Sequence, residues 1–593
     1  MARRRAFAIL FLILIVGYPA AMHSASQTRR ERAAPSERTS ALRWLRGMTL
    51  RDKVAQLVII TSYGEAPSSR STAFRDFVHA VRDLKVGGMI VVNRVVNGSV
   101  RNAEPYAMAA FLNRMQRLSK VPLLVGADFE RGASMRVSGT PKYPHLMAYG
   151  AARDLKLTRD LGLATAREAR ALGVQWVFAP DADVNNNPDN PIINIRSFGE
   201  NPTDVASQVR AFIEGAHSDP SNRVLATAKH FPGHGDTNVD SHMGMPSLGA
   251  DKERMRNLEL IPFREAISAG VDAVMTAHMA VPAYESEDIP ATVSRKVLTS
   301  LLRDEMNFSG LIVTDAMDMQ GLTKQFPGGE AAVRALQAGA DVLLMTPNPE
   351  TAIKSVVEAV KEGRLSEKRI NESALRVLTA KVRVGLNKQK LVNVEDISDA
   401  IDSPESEQQA QTAADRAVTL VKNEGGLVPL SNPAGACVWV LSESRLGTQG
   451  RRFADEMRGR ASGIRLQNFD PLTSSADMDQ AFDKIGKCEA HVVAAFVTVG
   501  AYRGNVALSG SYPGFVAKLQ ETGAPIALIS LGNPYLLRSF PRVAAYLATF
   551  SPVPTSEAAA AKAVLGVMEI TGRMPVTIPG IAKYGDGIQL SKQ

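Results

Sequence analysis

The chain has 593 residues, 45% hydrophobic and 22% charged, which are ordinary globular values in a sequence too long for a single core. This excludes a disordered or fibrous chain and predicts two large domains. The formal net charge of +9 includes Arg3, Arg4 and Arg5, and no basic patch is interleaved with aromatic residues; nucleic-acid binding is therefore not the reading of this charge.

Arg3 to Arg5, the apolar run Ala6 to Val16 and the small residues Ser24-Ala25-Ser26 have the form of a secretory signal over residues 1–26. The apolar run is shorter than the about 20 residues that a spanning helix needs. Left uncleaved, it would act as an N-terminal membrane anchor. The expected location is secreted or periplasmic. Residues 27–40 are polar and read as a tether.

Short apolar runs then alternate with amphipathic stretches. The runs are Val54 to Ile60, Gly88 to Val92, Pro122 to Ala127, Gln175 to Ala179, Val224 to Lys229, Ala273 to Ala277, Leu311 to Thr314 and Val342 to Met345. Several are apolar throughout, as expected of parallel strands covered on both faces. Arg159 to Leu172, Thr203 to Ser218 and Thr351 to Glu362 fit helices between them. Eight such units predict a (β/α)8 TIM-like barrel over residues 27–395, with an open doubly wound sheet as the alternative. Leu365 to Leu386 reads as the last barrel helix, with Ser366 as its cap. The polar stretch Lys388 to Gln411 reads as a linker.

A second α/β sandwich domain is predicted over residues 412–593. Its strands are Cys437 to Leu441, His491 to Val497, Ile526 to Leu531 and Ala544 to Phe550, and its helices Pro513 to Thr522 and Ser556 to Glu569. No Walker loop and no Gly-x-Gly-x-x-Gly follows a strand, so nucleotide binding has no support. The only cysteines, Cys437 and Cys488, make neither a zinc site nor a disulfide framework, though neighbouring strands would allow one bridge.

Polar residues cluster at the carboxyl ends of the runs, which meet at one mouth in a barrel. Asp128 and Glu130 follow the third run, Asp181 and Asp183 the fourth, Lys229 and His230 end the fifth, His278 the sixth and Asp315 the seventh. The densest stretch is Lys229 to His242, with three of the nine histidines. Asp240 and His242 are two apart, and a carboxylate that accepts an imidazole Nδ1 proton leaves Nε2 to shuttle another. A nucleophilic carboxylate with a separate acid/base group suffices for retaining glycoside hydrolysis. On spacing alone, His230, His234, Asp236, Asp240 and His242 are equally good metal ligands. His230 and His234 could also serve only to bond the loop backbone.

Lys-His-Phe-Pro-Gly-His-Gly-Asp-Thr followed by Asp-Ser-His resembles the signature of glycoside hydrolase family 3, in its NagZ-like β-N-acetylglucosaminidase branch. The resemblance extends to Gly126 to Gly132, to Asn185 to Pro188 with Ile195 to Phe198, and to Phe308 to Gly310 with Thr314-Asp315. It reaches the second domain at Val418 to Asn423 and Gly572 to Val576, and so covers nearly all of the chain after the signal. It implies Asp315 as the nucleophile, His242 as the acid/base and Asp240 as its partner. It implies Asp128, Arg136, Arg196, Lys229 and His230 as holders of sugar hydroxyls, with no metal and no organic cofactor. Many relatives carry Glu-Gly-Gly-Arg-Val where this chain has Glu130-Arg131-Gly132-Ala133-Ser134. Arg136 nevertheless keeps its offset from Asp128. Met319, four residues past Asp315, fits either sugar packing or core packing.

The expected activity is therefore exo-acting, retaining removal of terminal β-linked N-acetylglucosamine (β-N-acetylhexosaminidase). The partner is a carbohydrate, either a peptidoglycan fragment (muropeptide) or a chitooligosaccharide. The alternatives are a phosphorylase of the same family, a β-glucosidase, and an inactive, wall-associated sugar-binding protein.

Overall fold

The computed structural model describes residues 35–96, 99–241, 243–445, 447–500 and 506–592. The signal segment 1–26 lies outside them, as does most of the tether. Among the described residues no helix is long and apolar enough to cross a membrane.

Eight parallel strands form a ring in chain order: Val58–Ser62, Gly88–Val91, Leu124–Ala127, Trp176–Val177, Leu225–Phe231, Ala273–Thr276, Leu311–Val313 and Leu343–Leu344. The first pairs with the last at Val58↔Leu343. A single parallel bridge, Val313↔Val342, brings the seventh strand to the eighth, and the Leu344 amide donates to Thr314 Oγ1 at 3.0 Å. Nearly every strand residue is buried, because the lumen covers one face and helices the other. The ring is tight enough that a Cβ on Gly88 would lie 2.0 Å from the Leu124 carbonyl oxygen.

The flanking helices start where the sequence supplies caps. Asn201 caps Pro202–His217, Asn348 caps Pro349–Lys361, and Ser366 caps Glu367–Arg383 by accepting from the Arg369 amide at 3.1 Å. Local capping corrects the first apolar run. Val54 and Ala55 end a helix, Leu50–Ala55, which begins with a reciprocal Thr49–Asp52 capping box. The strand starts only at Val58.

The stretch read as a linker is also partly helical. Ile397–Ile401 and Pro404–Ala417 are helices, the second capped by Ser403 with Pro404 in its first turn. Ala410 and Ala413 of the second helix pack into the barrel core, and Ala414 and Ala417 into the cores of the second domain.

The second domain is built on a six-stranded sheet in the order Thr419–Asn423, Ala545–Ala548, Ile526–Gly532, Ala490–Val497, Ala436–Leu441 and Arg465–Phe469. Only Thr419–Asn423 runs antiparallel to its neighbour. Successive residues of one strand alternate between two cores: Cys437, Trp439 and Leu441 face one, Val438 and Val440 the other. Cys437 and Cys488 form a disulfide with Cα atoms 5.6 Å apart.

Lys381, on the last barrel helix, is fully buried and donates to Gln56 Oε1 at 2.6 Å. Burial pushes its amine down to about 7 from an ordinary 10.5. The unfolded chain therefore holds a proton that the folded chain sheds, so stability is full above pH 10.5 and is lost as pH falls towards 7. Lys381→Met is expected to stabilise the fold by about 1–3 kcal/mol at pH 7. Urea titration at pH 7 and 10 reads this, and equal gains at both pH values would contradict it.

Candidate active site

The carboxyl ends of the third, fourth and fifth strands carry a chain of buried charges. Lys229 Nζ lies 3.0 Å from Asp128 Oδ1 and 2.8 Å from Glu130 Oε1. Arg196 grips Glu130 with two bonds, Nη2 to Oε1 at 2.8 Å and Nε to Oε2 at 3.2 Å. Arg136 Nη2 donates to Asp128 Oδ2 at 2.8 Å, and Arg136 Nη1 to Asn93 Oδ1 at 2.5 Å. The Asp128 and Arg136 side chains keep 21% and 22% exposure, whereas Glu130 and Lys229 keep 6% and 3%. Asp128 and Arg136 therefore line the mouth, and Glu130 and Lys229 lie beneath them.

Burial alone would raise both carboxyls, but the cations outweigh it. Lys229 and Arg136 hold Asp128 far below its ordinary value, and Arg196 and Lys229 do the same for Glu130. Burial would lower the Lys229 amine, yet Glu130 and Asp128 raise it. Asp128, Glu130, Lys229 and Arg196 are therefore charged near neutrality. They offer fixed charge-assisted hydrogen bonds to a neutral polar ligand such as a sugar. Replacing Glu130 with leucine would leave Lys229 and Arg196 one buried anion short. The expected cost is about 3–5 kcal/mol of folding stability, read by urea unfolding; a change under about 0.5 kcal/mol would contradict the role given to Glu130.

His230 faces the fourth strand's carboxylates. Its Nδ1 bonds to Asp183 Oδ2 at 2.8 Å, and Asp183 also accepts from the backbone amides of His230 at 3.2 Å and His234 at 2.6 Å. Nδ1 is thus the protonated nitrogen, and Nε2 accepts from Arg196 Nη2 at 3.4 Å. Burial pushes Asp183 up to about 6. Burial and the adjacent Asp183 push Asp181 well above its usual range, since two carboxylates this close do not both ionise. Burial also lowers the imidazoles, His230 to about 4 and His234 to about 3, so both are neutral.

Two of the residues grouped by spacing as metal ligands are taken up by other partners. Asp236 pairs with Arg254, and His234 Nδ1 bonds to Thr237 Oγ1 at 2.8 Å. Among the described residues, Asp181, Asp183 and His230 do lie close enough to share an ion. Asp183 already accepts three hydrogen bonds there, and Arg196 sits 3.7 Å from Asp181. The loop around His234 needs its glycines: a Cβ on Gly235 would fall 1.8 Å from the Val184 carbonyl oxygen.

Asp315 closes the seventh strand and caps its own turn, with Oδ1 accepting from the Ala316 amide at 2.7 Å. The strand it follows pairs with the sixth, which in turn pairs with the fifth, so Asp315 lies at the same end of the ring as Lys229 and His230. His278, at the end of the sixth strand, bonds to Thr292 Oγ1 at 2.7 Å and to the Ala316 carbonyl at 2.9 Å, pinning the turn that carries Asp315. Asp240 is buried, and its carbonyl accepts from the Met243 and Gly244 amides at 2.9 and 3.2 Å. That loop packs on the segment after Asp315, where a Cβ on Gly321 would lie 3.2 Å from the Ser241 oxygen and 3.1 Å from the Gly244 oxygen. His242 lies outside the described residues. Met319 is buried.

The structure therefore brings Asp128, Arg136, Arg196, Lys229 and His230 into one connected network, with Asp315 at the same end of the ring. Sequence reasoning missed Glu130 as the hub and His278 as the brace of the Asp315 turn. The available signal for both was their position at a strand end.

Residues 49–380, more than half of the chain, match the glycosyl hydrolase family 3 N-terminal domain. Over 550 residues the chain is 27% identical to a β-N-acetylglucosaminidase/β-glucosidase of Cellulomonas fimi, covering 88% of this chain and 93% of that protein. It is 33% identical over 283 residues to a β-hexosaminidase of Actinobacillus pleuropneumoniae serotype 3 (strain JL03), covering 46% and 78%. The solved structure of a family 3 β-N-acetylglucosaminidase from Paenibacillus sp. str. FPU-7 superimposes with a TM-score of 0.79 at 31% identity, covering 90% of this chain and 99% of that one. The barrel and second sheet domain agree with the Paenibacillus structure, and the chain belongs to glycosyl hydrolase family 3.

Proposed function

We propose that this protein is an exo-acting, retaining β-N-acetylglucosaminidase. The observation that carries the reading is that Asp315 follows the seventh strand of the same ring whose third and fifth strands end in the Asp128–Lys229–Arg136–Arg196 network. The network supplies directed charge for sugar hydroxyls, and Asp315 supplies a carboxylate for the anomeric carbon. The names of the relatives support N-acetylglucosamine as the sugar.

In the first step Asp315 attacks the anomeric carbon while His242 gives its proton to the departing glycosidic oxygen, and the sugar is left on Asp315 as an ester. In the second, His242 takes a proton from water, the water oxygen bonds to the anomeric carbon, and Asp315 leaves with the ester electron pair. His230 and His234 are poor candidates for this shuttle, because burial keeps them neutral and His230 is held by Asp183. His242, with Asp240 beside it in sequence, carries the proton. The disulfide supports a secreted or periplasmic location, where such bonds persist.

A panel of aryl β-glycosides (N-acetylglucosaminide, glucoside, xyloside), each with and without phosphate, tests the reading. Fastest release from the N-acetylglucosaminide, unaffected by phosphate, is expected. Phosphate dependence would make the protein a phosphorylase, preference for the glucoside would make it a glucosidase, and binding without turnover would make it an inactive lectin-like protein.

A further inference from the structure

Arg196 sits in a long connection between the fourth strand and the helix Pro202–His217, a stretch whose only helical piece is the short turn Asn194–Arg196. Such a segment does not fix its own geometry. Its contacts with the second domain are dense. Asn185 Nδ2 donates to the Tyr535 hydroxyl at 3.0 Å, and Asn194 Nδ2 to Asn533 Oδ1 at 3.3 Å. Glu200 accepts from the Thr577 amide and hydroxyl, both at 2.6 Å, and its own amide donates to the Pro575 carbonyl at 3.0 Å. Arg538 pairs with Asp189 at 2.7 Å.

These anchors bracket Arg196 on both sides. Asn185, Asn194, Asn533 and Tyr535 are all buried, so the inner contacts lie within the protein, whereas Arg538 and Asp189 are exposed. Asn533 is itself held rigidly: its Oδ1 accepts from the Tyr535 amide at 3.1 Å and its Nδ2 donates to the Val506 carbonyl at 2.8 Å. Asn194 has a left-handed backbone (φ 40°), a conformation that persists only when its surroundings dictate it.

We infer that the second domain is a positioning element of the sugar site, with Asn533 and Tyr535 holding the 185–200 segment so that Arg196 stays docked on Glu130 at the mouth. This rests on the proposed role of Arg196 in binding the sugar. Neither residue touches the sugar in this scheme. They raise the fraction of molecules in which the binding geometry is already assembled, and apparent affinity scales with that fraction.

The test uses the full chain. If Asn533→Ala lowers the assembled fraction to about a tenth, KM for the aryl N-acetylglucosaminide rises about 10-fold and kcat changes less than about 2-fold, because bound molecules are assembled ones. Tyr535→Phe should show a smaller rise of the same kind. Arg538→Ala, at the exposed edge, should leave KM within about 2-fold. In an Arg196→Gln background, Asn533→Ala should add no further rise, since its effect passes through Arg196. An unchanged KM in Asn533→Ala, or a rise that persists in the Arg196→Gln background, would overturn the inference. Hydrogen exchange of backbone amides 185–200 gives a readout that needs no substrate, and about 10-fold faster exchange confined to that segment is expected in Asn533→Ala. Unchanged exchange would overturn the inference even if the wild type hydrolyses no glycoside, an outcome that would separately remove the proposed activity.

Discussion

Replacing Asp315 with alanine is expected to lower kcat on an aryl β-N-acetylglucosaminide by about 10⁴-fold or more while leaving sugar binding nearly intact. The reason is the division of labour at the mouth. The Asp128–Lys229–Glu130–Arg196 network is held together by its own ion pairs. The turn that carries Asp315 is braced separately, through His278 on the Ala316 carbonyl. Removing the carboxylate should therefore not dismantle the charge network. Competition by N-acetylglucosamine, measured by calorimetry, should change less than about 3-fold in the variant, whereas single-turnover rates collapse. Residual turnover within about 10-fold of wild type would assign the nucleophile elsewhere.

His242→Ala should show a loss that depends on the leaving group. A general acid contributes about 10²–10⁴-fold when the departing oxygen needs a proton, and far less when it leaves as a stabilised anion. A disaccharide or alkyl glycoside should thus lose the full factor. A dinitrophenyl glycoside should form the glycosyl-enzyme at near the wild-type rate and then accumulate it, because water lacks its base in the second step. Pre-steady-state kinetics on the dinitrophenyl substrate should show a burst followed by slow release. Equal losses on both substrates would remove His242 from proton transfer. Neither His230 nor His234 is suited to substitute, since burial lowers His230 to about 4 and His234 to about 3.

The barrel is legible in the sequence because strands buried on both faces read as unbroken apolar runs, and Asp128, Lys229 and Asp315 stand where those runs end. Two strands of the second domain escaped strand assignment for the converse reason. Thr419–Asn423 and Arg465–Phe469 lie at the edges of their sheet, are only partly buried, and carry Lys422, Asn423, Arg465, Gln467 and Asn468. An edge strand has one neighbour and needs no apolar run. Val54 and Ala55 look like strand residues by hydropathy, but the Thr49–Asp52 capping box directs them into a helix. Ser403-Pro404-Glu405 reads as a polar linker and is a helix start, since proline in a first turn sacrifices no hydrogen bond.

The site divides in the same way. Asp128 and Arg136 are only eight positions apart, and their pairing follows from a local loop. Glu130 is the hub of the network, but its partners lie 66 and 99 residues away at Arg196 and Lys229. Nothing local separates a hub carboxylate from a surface one. The bracing of the Arg196 segment by Asn533 and Tyr535 is further still from sequence view, because it joins two domains through neutral amides and a hydroxyl.

The most direct measurement is peptide mapping after reaction with a slow 5-fluoro-N-acetylglucosaminyl substrate, which lets the covalent intermediate accumulate. A single sugar on the peptide that contains Asp315, released on incubation with buffer, is the expected result. Turnover of the substrate with no labelled peptide, or with the label on a different carboxylate, would contradict Asp315 as the nucleophile and the retaining mechanism built on it.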